Sequence, residues 1–384
     1  MHILTLTPFY PTATDDASGC FIAESVRELQ SQGVTSSVVA AEPMHRAHSS
    51  PASSAPPATW KEYFALPGNP GLPSSGRFLH TSLKSHVRRL HQQKPISLIH
   101  AHAALPCGHA AMLLAKDLSI PFVVTVHGLD VFSTRQVPGW FGRRCAAVSK
   151  EVYGAAARVI CISEQVAQRL RGEPGNANIS VLYNGVDSSL FRPVADHVSP
   201  SVPENAVILT IGNLIPIKGH ETLLRSLAAI TPSHPQVECR IIGDGPEHPR
   251  LQQLARELHI EDRVHFLGRK PRSDVAEAMR QCTLFALPSW YEGFGCVYLE
   301  AMSTERAAIA CRGQGIEEII RHRENGWLIE PKSLSELTHA LQTLLSDKPL
   351  RETLGRNARK TVLQGYTLAH QATQLLSLYR ECVR

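Results

Sequence analysis

The chain of 384 residues lacks any long apolar run and any closely spaced pair of cysteines. No stretch of roughly eighteen or more residues is apolar and uncharged, so we expect no membrane-spanning helix. The opening segment MHILTLTPFYP has no basic leader and meets Pro8 early, which predicts a first β-strand rather than a secretory signal. The nine cysteines are scattered without a CxxC motif, which favours reduced thiols in a cytosolic protein over disulfides or zinc.

Charge is limited in amount and uneven in placement. Charged residues make up 19% of the chain and hydrophobic residues 43%, a balance typical of a folded globular protein. Residues 1–195 carry 17 Lys and Arg against 12 Asp and Glu, whereas the remainder carries 22 of each. The basic first half could meet an anionic membrane or a phosphate-bearing acceptor, or it could be ordinary surface charge. A basic module with interleaved aromatic residues is missing, so we expect no nucleic-acid partner.

Short β-rich runs alternate with amphipathic stretches, which is typical of parallel, doubly wound sheets. This rhythm occurs twice along the chain. The predicted strands are His2–Thr7, Ser36–Ala40, Leu98–Ala101, Phe122–Val126, Val159–Ile162 and Ser180–Leu182, then Val207–Gly212, Cys239–Ile242, Val264–Leu267, Thr283–Ala286, Ala308–Cys311 and Trp327–Ile329. Phe21–Gln32 and Arg77–Gln92 are predicted helices, Pro43–Ala58 a surface loop and Ser333–Arg384 a helical tail.

We therefore predict an α/β protein with two Rossmann-like, doubly wound parallel-sheet domains that face each other across a cleft. The N-terminal domain is expected to span residues 1–190 and the linker residues 191–205. The C-terminal domain is expected to span residues 206–364. Residues 365–384 form a C-terminal helix that could pack back on the N-terminal domain.

The strongest site signal is the segment SWYEGFGCVYLEAM, residues 289–302, which follows a predicted strand and opens a predicted helix. Gly293 and Gly295 let the backbone approach a ligand closely. The N–H groups at the start of the new helix suit a diphosphate. Glu292 and Glu300 could each accept two hydroxyl hydrogen bonds, one at either end of a bound nucleotide sugar. The alternative is a glycine-rich turn beside two solvated acids.

Two further loops follow strands of the second series. In the segment IGNLIPIKGH, Lys218 stands just before a helix, where its ammonium could meet a phosphate. In the segment IIGDGP, Gly243 would permit the close approach of a flat base, although GDGP is also an ordinary turn. Each signal is weak alone and gains weight only from its neighbours.

In the first half, His127 follows a predicted strand in the segment PFVVTVHGLD and could donate a hydrogen bond to a sugar hydroxyl or a developing charge. A lone histidine is more often structural, and the chain has 19 of them. Gly19 begins a predicted helix and could touch a phosphate. The pair His100 and His102 also ends a strand, but no further ligand stands at metal-like spacing, so we predict no metal site.

Together these segments resemble glycosyltransferase family four, the large retaining group with the GT-B fold. The resemblance covers most of the chain, and EGFG…LEA is its most specific part. It runs in the family's order through SGCFIAESVRELQSQGV, IHAHAALPCGHAA, PFVVTVHGLDV, VICISEQV, VLYNGVDSSLF, GNLIPIKGHETLL, IIGDGP, ALPSWYEGFGCVYLEAM and NGWLI. The first segments look especially similar to bacterial exopolysaccharide and teichuronic-acid-type transferases.

The resemblance assigns residues to catalysis and to donor binding. The catalytic set is His127, Lys218 and Glu292. The donor-binding set is Gly19, Asn213, Lys218, Gly243, Glu292, Gly293, Phe294, Gly295 and Glu300. In this family-based assignment, Glu292 binds donor-sugar hydroxyls, Glu300 holds the ribose diol, and Phe294 and Gly295 present backbone amides to the sugar and diphosphate. Lys218 neutralises the diphosphate.

The other two assignments fall in the first half of the chain. The resemblance implies that His127 contacts the donor sugar near its reacting carbon and that Gly19 lies over the phosphates. One departure from the family pattern is Asn213, which stands where many members carry Arg. Because Asn is uncharged, one expected phosphate cation is missing, which puts donor affinity in question.

The implied reaction is the retaining transfer of a hexosyl unit from a UDP- or GDP-sugar to a glycan or lipid-linked acceptor, in bacterial polysaccharide or glycolipid synthesis. No cofactor is expected, and the chain has no DxD triplet, which argues against a metal-bridged donor. We expect a cytoplasmic enzyme. The basic stretch Arg77–Gln92 could be an interfacial helix that contacts the inner face of the membrane. We favour the alternative, a helix of the first domain whose apolar face packs on the sheet. The alternatives are a non-catalytic nucleotide-sugar-binding subunit and a nucleotide-sugar epimerase.

Overall fold

The computed structural model describes residues 1–45, 50, 52, 55–66, 71–128, 139–171, 178–194 and 206–383. The chain divides into two compact units. The N-terminal unit comprises Met1–Asn184 and Leu368–Arg384, and the C-terminal unit comprises Gly185–Thr367. Each unit is built on its own parallel sheet.

The sheet of the N-terminal unit has the described strand order β3-β2-β1-β4-β5-β6-β7, and every described pair is parallel. The strands are β1 (His2–Thr7), β2 (Thr35–Pro43), β3 (Ala58–Tyr63), β4 (Leu98–His102), β5 (Phe122–Val126), β6 (Arg158–Cys161) and β7 (Ile179–Val181). The helices are α1 (Cys20–Ser31), α2 (Leu72–Gln93), α3 (His109–Leu118), α4 (Gly139–Ala155), α5 (Glu164–Arg171) and α12 (Leu368–Val383), with a π-helical turn at Ala104–Gly108.

Helix α2 shows why its sequence forms a core-facing helix. Leu79, Leu83 and Val87 recur every four residues, and all three are fully buried. Arg88 and Arg89 lie exposed on the opposite face. The apolar stripe of this basic helix therefore packs inside its own unit and is not available to a membrane.

Helix α12 completes the core of the N-terminal unit, although it lies at the other end of the chain. Ala372, Leu375 and Tyr379 pack in one buried cluster with residues of the central strands such as Leu98 and Val123. This placement explains why the last helix belongs to the N-terminal unit.

The sheet of the C-terminal unit has the order β10-β9-β8-β11-β12-β13, again with parallel pairs. The strands are β8 (Val207–Ile211), β9 (Glu238–Ile242), β10 (Val264–Phe266), β11 (Leu284–Ala286), β12 (Ala308–Cys311) and β13 (Trp327–Ile329). The helices are α6 (His220–Ile230), α7 (His248–Glu257), α8 (Arg272–Gln281), α9 (Cys296–Ser303), α10 (Leu334–Ser346) and α11 (Lys348–Gly365), with 3-10 turns at Pro216–Lys218, Glu261–Arg263 and Gly315–Glu318.

Side-chain caps fix the two helices that follow the last strand. The Ser333 side chain accepts a hydrogen bond from the Glu336 backbone N–H at the start of α10. The Asp347 side chain accepts one from the Leu350 N–H at the start of α11. Such caps satisfy N–H groups that have no partner inside the helix, so these residues set where each helix begins.

The predicted strands are all present within one to three residues of their expected ends, but the sequence did not predict β3. Ala58–Tyr63 is an edge strand that reads ATWKEY, in which the polar residues Thr59, Lys61 and Glu62 break both a continuous apolar run and a regular alternation. The described residues between β2 and β3 form neither helix nor strand.

The segment before β8 packs within the C-terminal unit as far as it is described. Phe191 is fully buried, and the Ser303 hydroxyl donates a hydrogen bond to its carbonyl oxygen at 2.5 Å. Residues 195–205 lie outside the described part. The chain thus joins the C-terminal unit at Gly185, ahead of β8.

Candidate active site

The strand order of the C-terminal unit brings two loops to one point on its sheet edge. β8 and β11 are hydrogen-bonded neighbours although two strands separate them in sequence. Ligands of doubly wound sheets bind outside the carboxyl ends of the strands at such a switch point. Lys218 lies in the connection after β8, and Glu292 and Gly295 lie in the connection after β11. The fold therefore gathers these predicted donor residues.

Lys218 and Glu292 form an ion pair across the switch point. Lys218 Nζ donates to Glu292 Oε2 at 2.6 Å, and the two side chains are 17% and 14% exposed. Such a short, partly buried pair is stronger than a solvated surface pair. It holds an ammonium and a carboxylate side by side, one suited to phosphate oxygens and the other to sugar hydroxyls.

Backbone and side-chain bonds hold the two loops together. The Trp290 N–H donates to the Ile217 carbonyl at 3.0 Å, and the Ser289 hydroxyl lies 3.0 Å from the same oxygen. The Glu292 N–H donates to Gln314 Oε1 at 2.9 Å, which ties in the loop after β12. The geometry of Glu292 is thus set by three loops of one sheet edge.

Gly295 occupies the N-cap position of α9 with φ +88°, in the left-handed region that favours glycine. A Cβ here would lie 2.6 Å from the ring of Tyr298, so no side chain fits. Phe294 is 1% exposed and anchors the loop in the core. The start of α9 therefore carries no side chain at its cap, which leaves its positive dipole end to a ligand.

Glu300 lies inside α9 and is 5% exposed. Arg272, the first residue of α8, donates to its carboxylate, and the Arg272 guanidinium lies 4.8 Å from the centroid of the Phe191 ring. A buried carboxylate needs such a partner because desolvation of an unpaired charge is costly. The ion pair fixes the carboxylate that the resemblance assigns to the ribose diol.

Gly243 and Asn213 differ in how the fold constrains them. Gly243 has φ +137°, and a Cβ there would lie 2.0 Å from the Gly212 carbonyl oxygen, so the packing of the two loops alone requires glycine. Asn213 is exposed, and its carbonyl accepts a hydrogen bond from the Ile215 N–H at 2.9 Å. Contacts of either residue with a donor stay predictions.

In the N-terminal unit, His127 directly follows β5. Its Nε2 lies 3.0 Å from Nδ1 of His102, and burial lowers the pKa of His127 to about 4. The imidazole is therefore neutral at pH 7 and can donate one hydrogen bond and accept another. Asp130, from the same sequence segment, lies outside the described residues.

Gly19 caps α1 with φ +66°, and a Cβ there would lie 2.5 Å from the Phe9 carbonyl oxygen. The position therefore requires glycine for backbone reasons as well as for any ligand. The ring of Phe21, in the first turn of α1, lies 5.0 Å from the ring of His127. The loop of Gly19 and the end of β5 thus border the same place in the N-terminal unit.

The structure adds residues that sequence reasoning missed. Arg272, Ser289 and Gln314 all bond to predicted site residues or to their loops. A signal for Arg272 exists in the basic run GRKPR, residues 268–272, which begins two positions after the carboxyl end of β10. Ser289 and Gln314 carry no such signal, since single polar residues in loops are common.

In the part of the chain that the structure describes, no group of three or more His, Cys, Asp or Glu side chains is placed to hold a metal ion. No helix in the same part is both long and apolar enough to cross a membrane.

Two family profiles match the chain. The profile described as "Glycosyltransferase Family 4" matches residues 20–190, and the profile described as "Glycosyl transferases group 1" matches residues 192–361. The chain belongs to glycosyltransferase family four. It is therefore a transferase enzyme, as predicted from the sequence.

Relatives of this glycosyltransferase include bacterial proteins. One from Bacillus subtilis, whose name assigns it to teichuronic acid biosynthesis as a glycosyltransferase, is 27% identical over 368 residues, covering 89% of this chain and 88% of the relative. The N-acetyl-alpha-D-glucosaminyl L-malate synthase of Bacillus anthracis is 27% identical over 312 residues, covering 79% of both chains.

Solved structures show the same fold. Sucrose-phosphate synthase from Thermosynechococcus elongatus superposes with a TM-score of 0.82 at 23% identity, covering 99% of both chains. Anabaena HepE in complex with UDP and glucose gives a TM-score of 0.79 at 21% identity, covering 99% of this glycosyltransferase and 100% of HepE. The predicted two-domain GT-B fold is confirmed.

Proposed function

We propose that this glycosyltransferase moves a hexosyl unit, with retention of configuration, from a nucleoside-diphosphate sugar to a hydroxyl of a glycan or lipid-linked acceptor. The product would serve bacterial polysaccharide or glycolipid synthesis, in line with the teichuronic acid biosynthesis in the name of the Bacillus subtilis relative. A UDP-sugar is the first donor to test, because HepE was solved with UDP and glucose. A GDP-sugar is the second.

One observation carries the proposal. The Lys218–Glu292 ion pair lies beside the N-terminus of α9, and the anchored carboxylate of Glu300 lies four residues into that helix. With a rise of about 1.5 Å per residue, Glu300 is about 6 Å further along the helix axis. Lys218 and the N–H groups at the start of α9 can therefore bind a diphosphate. The carboxylates of Glu292 and Glu300 can each bind a separate set of hydroxyls.

The chemistry follows from this arrangement. The bond from the reacting sugar carbon to the diphosphate oxygen breaks, the nucleoside diphosphate leaves with the electron pair, and the acceptor oxygen bonds to that carbon. Lys218 and the start of α9 stabilise the growing negative charge on the leaving group. Glu292 holds sugar hydroxyls, and His127, by the role that the family resemblance implies, orients the sugar as positive charge develops on it. These charge-stabilising groups are protein groups, so we expect turnover without an added metal ion.

The acceptor side of the proposal rests on the basic N-terminal unit. We propose a cytoplasmic enzyme that meets a lipid-linked acceptor at an anionic membrane surface. Since Leu79, Leu83 and Val87 are buried, contact would come from exposed cations such as Arg88 and Arg89 and not from an inserted helix.

Vesicle flotation tests this surface. The double variant Arg88→Glu/Arg89→Glu is expected to lose binding to vesicles that contain anionic lipid. The matched control, Lys348→Glu/Arg356→Glu on α11, reverses two exposed cations of the C-terminal unit and should bind like wild type. Unchanged flotation of the first variant would remove the membrane contact from the proposal.

A thermal-shift and hydrolysis screen tests the donor. The purified protein is incubated with UDP-, GDP- and ADP-sugars in the presence of EDTA. We expect one sugar nucleotide to raise the melting temperature and to be hydrolysed slowly. The same sugar nucleotide should then serve transfer, with an α- or β-linkage that matches the donor.

Other outcomes point to other functions. Isomerisation of the donor without an acceptor would identify an epimerase. A donor that stabilises the fold but is neither hydrolysed nor transferred would identify a non-catalytic binding subunit. If none of the donors stabilises the protein, donor binding is contradicted. The missing phosphate cation at Asn213, where many family members carry Arg, would then be the first explanation to test.

A further inference from the structure

Three histidines lie on one face of the N-terminal sheet and form what we call the histidine cluster: His100, His102 and His127. His100 and His102 occupy alternate positions of β4, and Thr125 of β5 pairs with His102 in register. His127 lies two positions beyond Thr125. The ring centroids of His100 and His102 are 4.4 Å apart, and those of His102 and His127 are 5.2 Å apart with ring planes 19° from parallel.

Hydrogen bonds fix the cluster at both ends. The Tyr379 hydroxyl of α12 lies 2.6 Å from Nδ1 of His100, and His100 Nε2 lies 2.7 Å from Oγ1 of Thr125. At the other end, Nδ1 of His102 lies 3.0 Å from Nε2 of His127. A cavity of about 20 Å³ beside the cluster has room for about one water molecule.

The cluster is neutral at physiological pH. His100 and His102 are 4% and 7% exposed. Burial lowers the pKa of His100 to about 3 and holds the pKa of His102 well below its ordinary value of 6.5. A neutral imidazole carries a proton on one nitrogen and a lone pair on the other. In the contact between His102 and His127, one nitrogen must therefore donate and the other accept.

We propose that His102 is a positioning residue that donates its Nδ1–H to Nε2 of His127 and so keeps the proton of His127 on Nδ1. This direction rests on the proposed function, in which His127 donates a hydrogen bond to the donor substrate. Since Nε2 of His127 faces His102, the proton that His127 donates in that function is the one on Nδ1. A hydrogen bond at one ring nitrogen is the usual way in which a protein selects the tautomer of a functional histidine.

Nuclear magnetic resonance of histidine labelled with nitrogen-15 tests the tautomer without reference to activity. The two ring nitrogens of a neutral histidine differ strongly in chemical shift according to which one is protonated. The His127 signals are assigned by their loss in His127→Asn. We expect the Nδ1–H tautomer in wild type and a mixture of tautomers in His102→Phe. An Nε2–H tautomer in wild type, or an unchanged His127 spectrum in His102→Phe, would overturn the proposal.

Steady-state kinetics test the consequence. His102→Phe keeps a ring but removes the donor, and we expect kcat to fall by about 10- to 100-fold, the usual cost of losing such an orienting partner. The donor KM should change little. His102→Asn places an amide N–H near the original Nδ1 position and should recover most of kcat. A fall in kcat that His102→Asn does not recover, or no fall in His102→Phe, would contradict the proposal.

A matched control separates positioning from packing. His109 on α3 is a histidine of the same unit with 3% exposure that lies outside the cluster, so His109→Phe should leave the His127 tautomer unchanged. Equal loss of kcat in both Phe variants would mean general damage to the fold and would overturn the role of His102. Should the enzyme prove inactive with every donor, the tautomer measurement still decides the His102 proposal, because it needs no substrate.

Discussion

At the scale of single residues, the candidate site depends on charges that hold each other in place. The Lys218 ammonium is paired with Glu292, and the Glu300 carboxylate is paired with Arg272. Each functional group therefore has a partner whose loss would disturb it even if that partner never touched substrate. Single substitutions here test both a contact and an orientation.

Removing the charge of Lys218 should slow the reaction. We expect Lys218→Met to lower kcat by about 100-fold or more, the cost typical of losing one preorganised group that stabilises a leaving anion. Lys332→Met is a matched control. Lys332 is exposed, and its Nζ lies 4.1 Å from the centroid of the Trp290 ring, in the loop that carries Glu292. Transfer assays with purified variants check this, and wild-type kcat in Lys218→Met would remove Lys218 from the mechanism.

Removing Arg272 should act on donor binding. Arg272→Ala leaves Glu300 buried without its cation, so the carboxylate loses its fixed geometry. We expect the donor KM to rise about tenfold, which corresponds to about 1.4 kcal/mol of binding free energy, together with a lower melting temperature. Arg280→Ala on the same helix is the control. A donor KM equal to that of wild type in Arg272→Ala would contradict the anchoring role.

The buried histidine His100 should make stability depend on pH. Its pKa is about 3 in the folded protein and near 6.5 in the unfolded chain, so only the unfolded chain takes up a proton on His100 between these values. The free energy of unfolding therefore falls as pH is lowered below about 6.5, by up to about 1.4 kcal/mol per pH unit for this group. Above about pH 6.5, protonation of His100 does not change the free energy of unfolding.

Urea unfolding at pH 8, 7, 6 and 5 checks this dependence. His100 faces Tyr379 of α12, Thr125 of β5 and the imidazoles of His102 and His127. The variant His100→Phe should show a constant offset above pH 7 and a shallower fall below it than wild type. Parallel curves over the whole range would mean that His100 is protonated in the fold as readily as in the unfolded chain.

At the scale of elements, the α9 connection shows how one glycine shapes a site. Gly295 needs a positive φ and has the Tyr298 ring where a Cβ would stand, and Tyr298 is in turn fixed by a 2.5 Å bond from its hydroxyl to the Leu287 carbonyl. The loop cannot shift to accept a side chain without breaking that bond. The start of α9 is therefore held at one place by the core beneath it.

Gly295→Ala should damage both stability and donor binding. We expect a loss of about 2 kcal/mol or more in the free energy of unfolding, from the strained φ and the contact with Tyr298. Gly313→Ala is the matched control, because Gly313 has φ +69° but open space around its Cβ position, so it reports the backbone strain alone. Denaturant unfolding and donor titration check the difference. Equal losses in the two variants would contradict the steric argument.

At the scale of the whole molecule, the last helix is a structural part of the first unit. Tyr379 is fully buried in the cluster with strand residues, and its hydroxyl bonds His100. Sequence distance has no bearing on this, because the central strands of the N-terminal sheet need an apolar layer and α12 supplies part of it.

Truncating Tyr379 should therefore destabilise the N-terminal unit. We expect Tyr379→Ala to lower the free energy of unfolding by about 3 to 5 kcal/mol, the cost typical of a large buried aromatic side chain. Leu363→Ala, a 45% exposed position near the end of α11, should stay within about 0.5 kcal/mol of wild type. Protease sensitivity of residues 1–184 should rise only in the first variant. Equal stability of Tyr379→Ala and wild type would contradict the role given to α12.

The sequence alone determined the family, the two α/β repeats and nearly all strands, because these depend on local apolar patterns and on the spacing of EGFG…LEA and KG. It also placed Lys218, Glu292 and Glu300 as candidates. It missed β3, whose edge position gives it no apolar run. It gave His100 and His102 no role because no further ligand stood at metal-like spacing, and spacing along one strand does not reveal the His127 ring across the sheet.

Only the tertiary structure decided which side chains form hydrogen bonds and ion pairs with the site residues. Arg272 reaches Glu300 from another helix, Gln314 reaches Glu292 from another loop, and His102 meets His127 across paired strands. Each of these contacts joins residues more than twenty positions apart, through a sheet order that no local pattern encodes. The local sequence determines where helices and strands form. The contacts that position the site residues depend instead on the strand order, which decides which strands have neighbouring carboxyl ends.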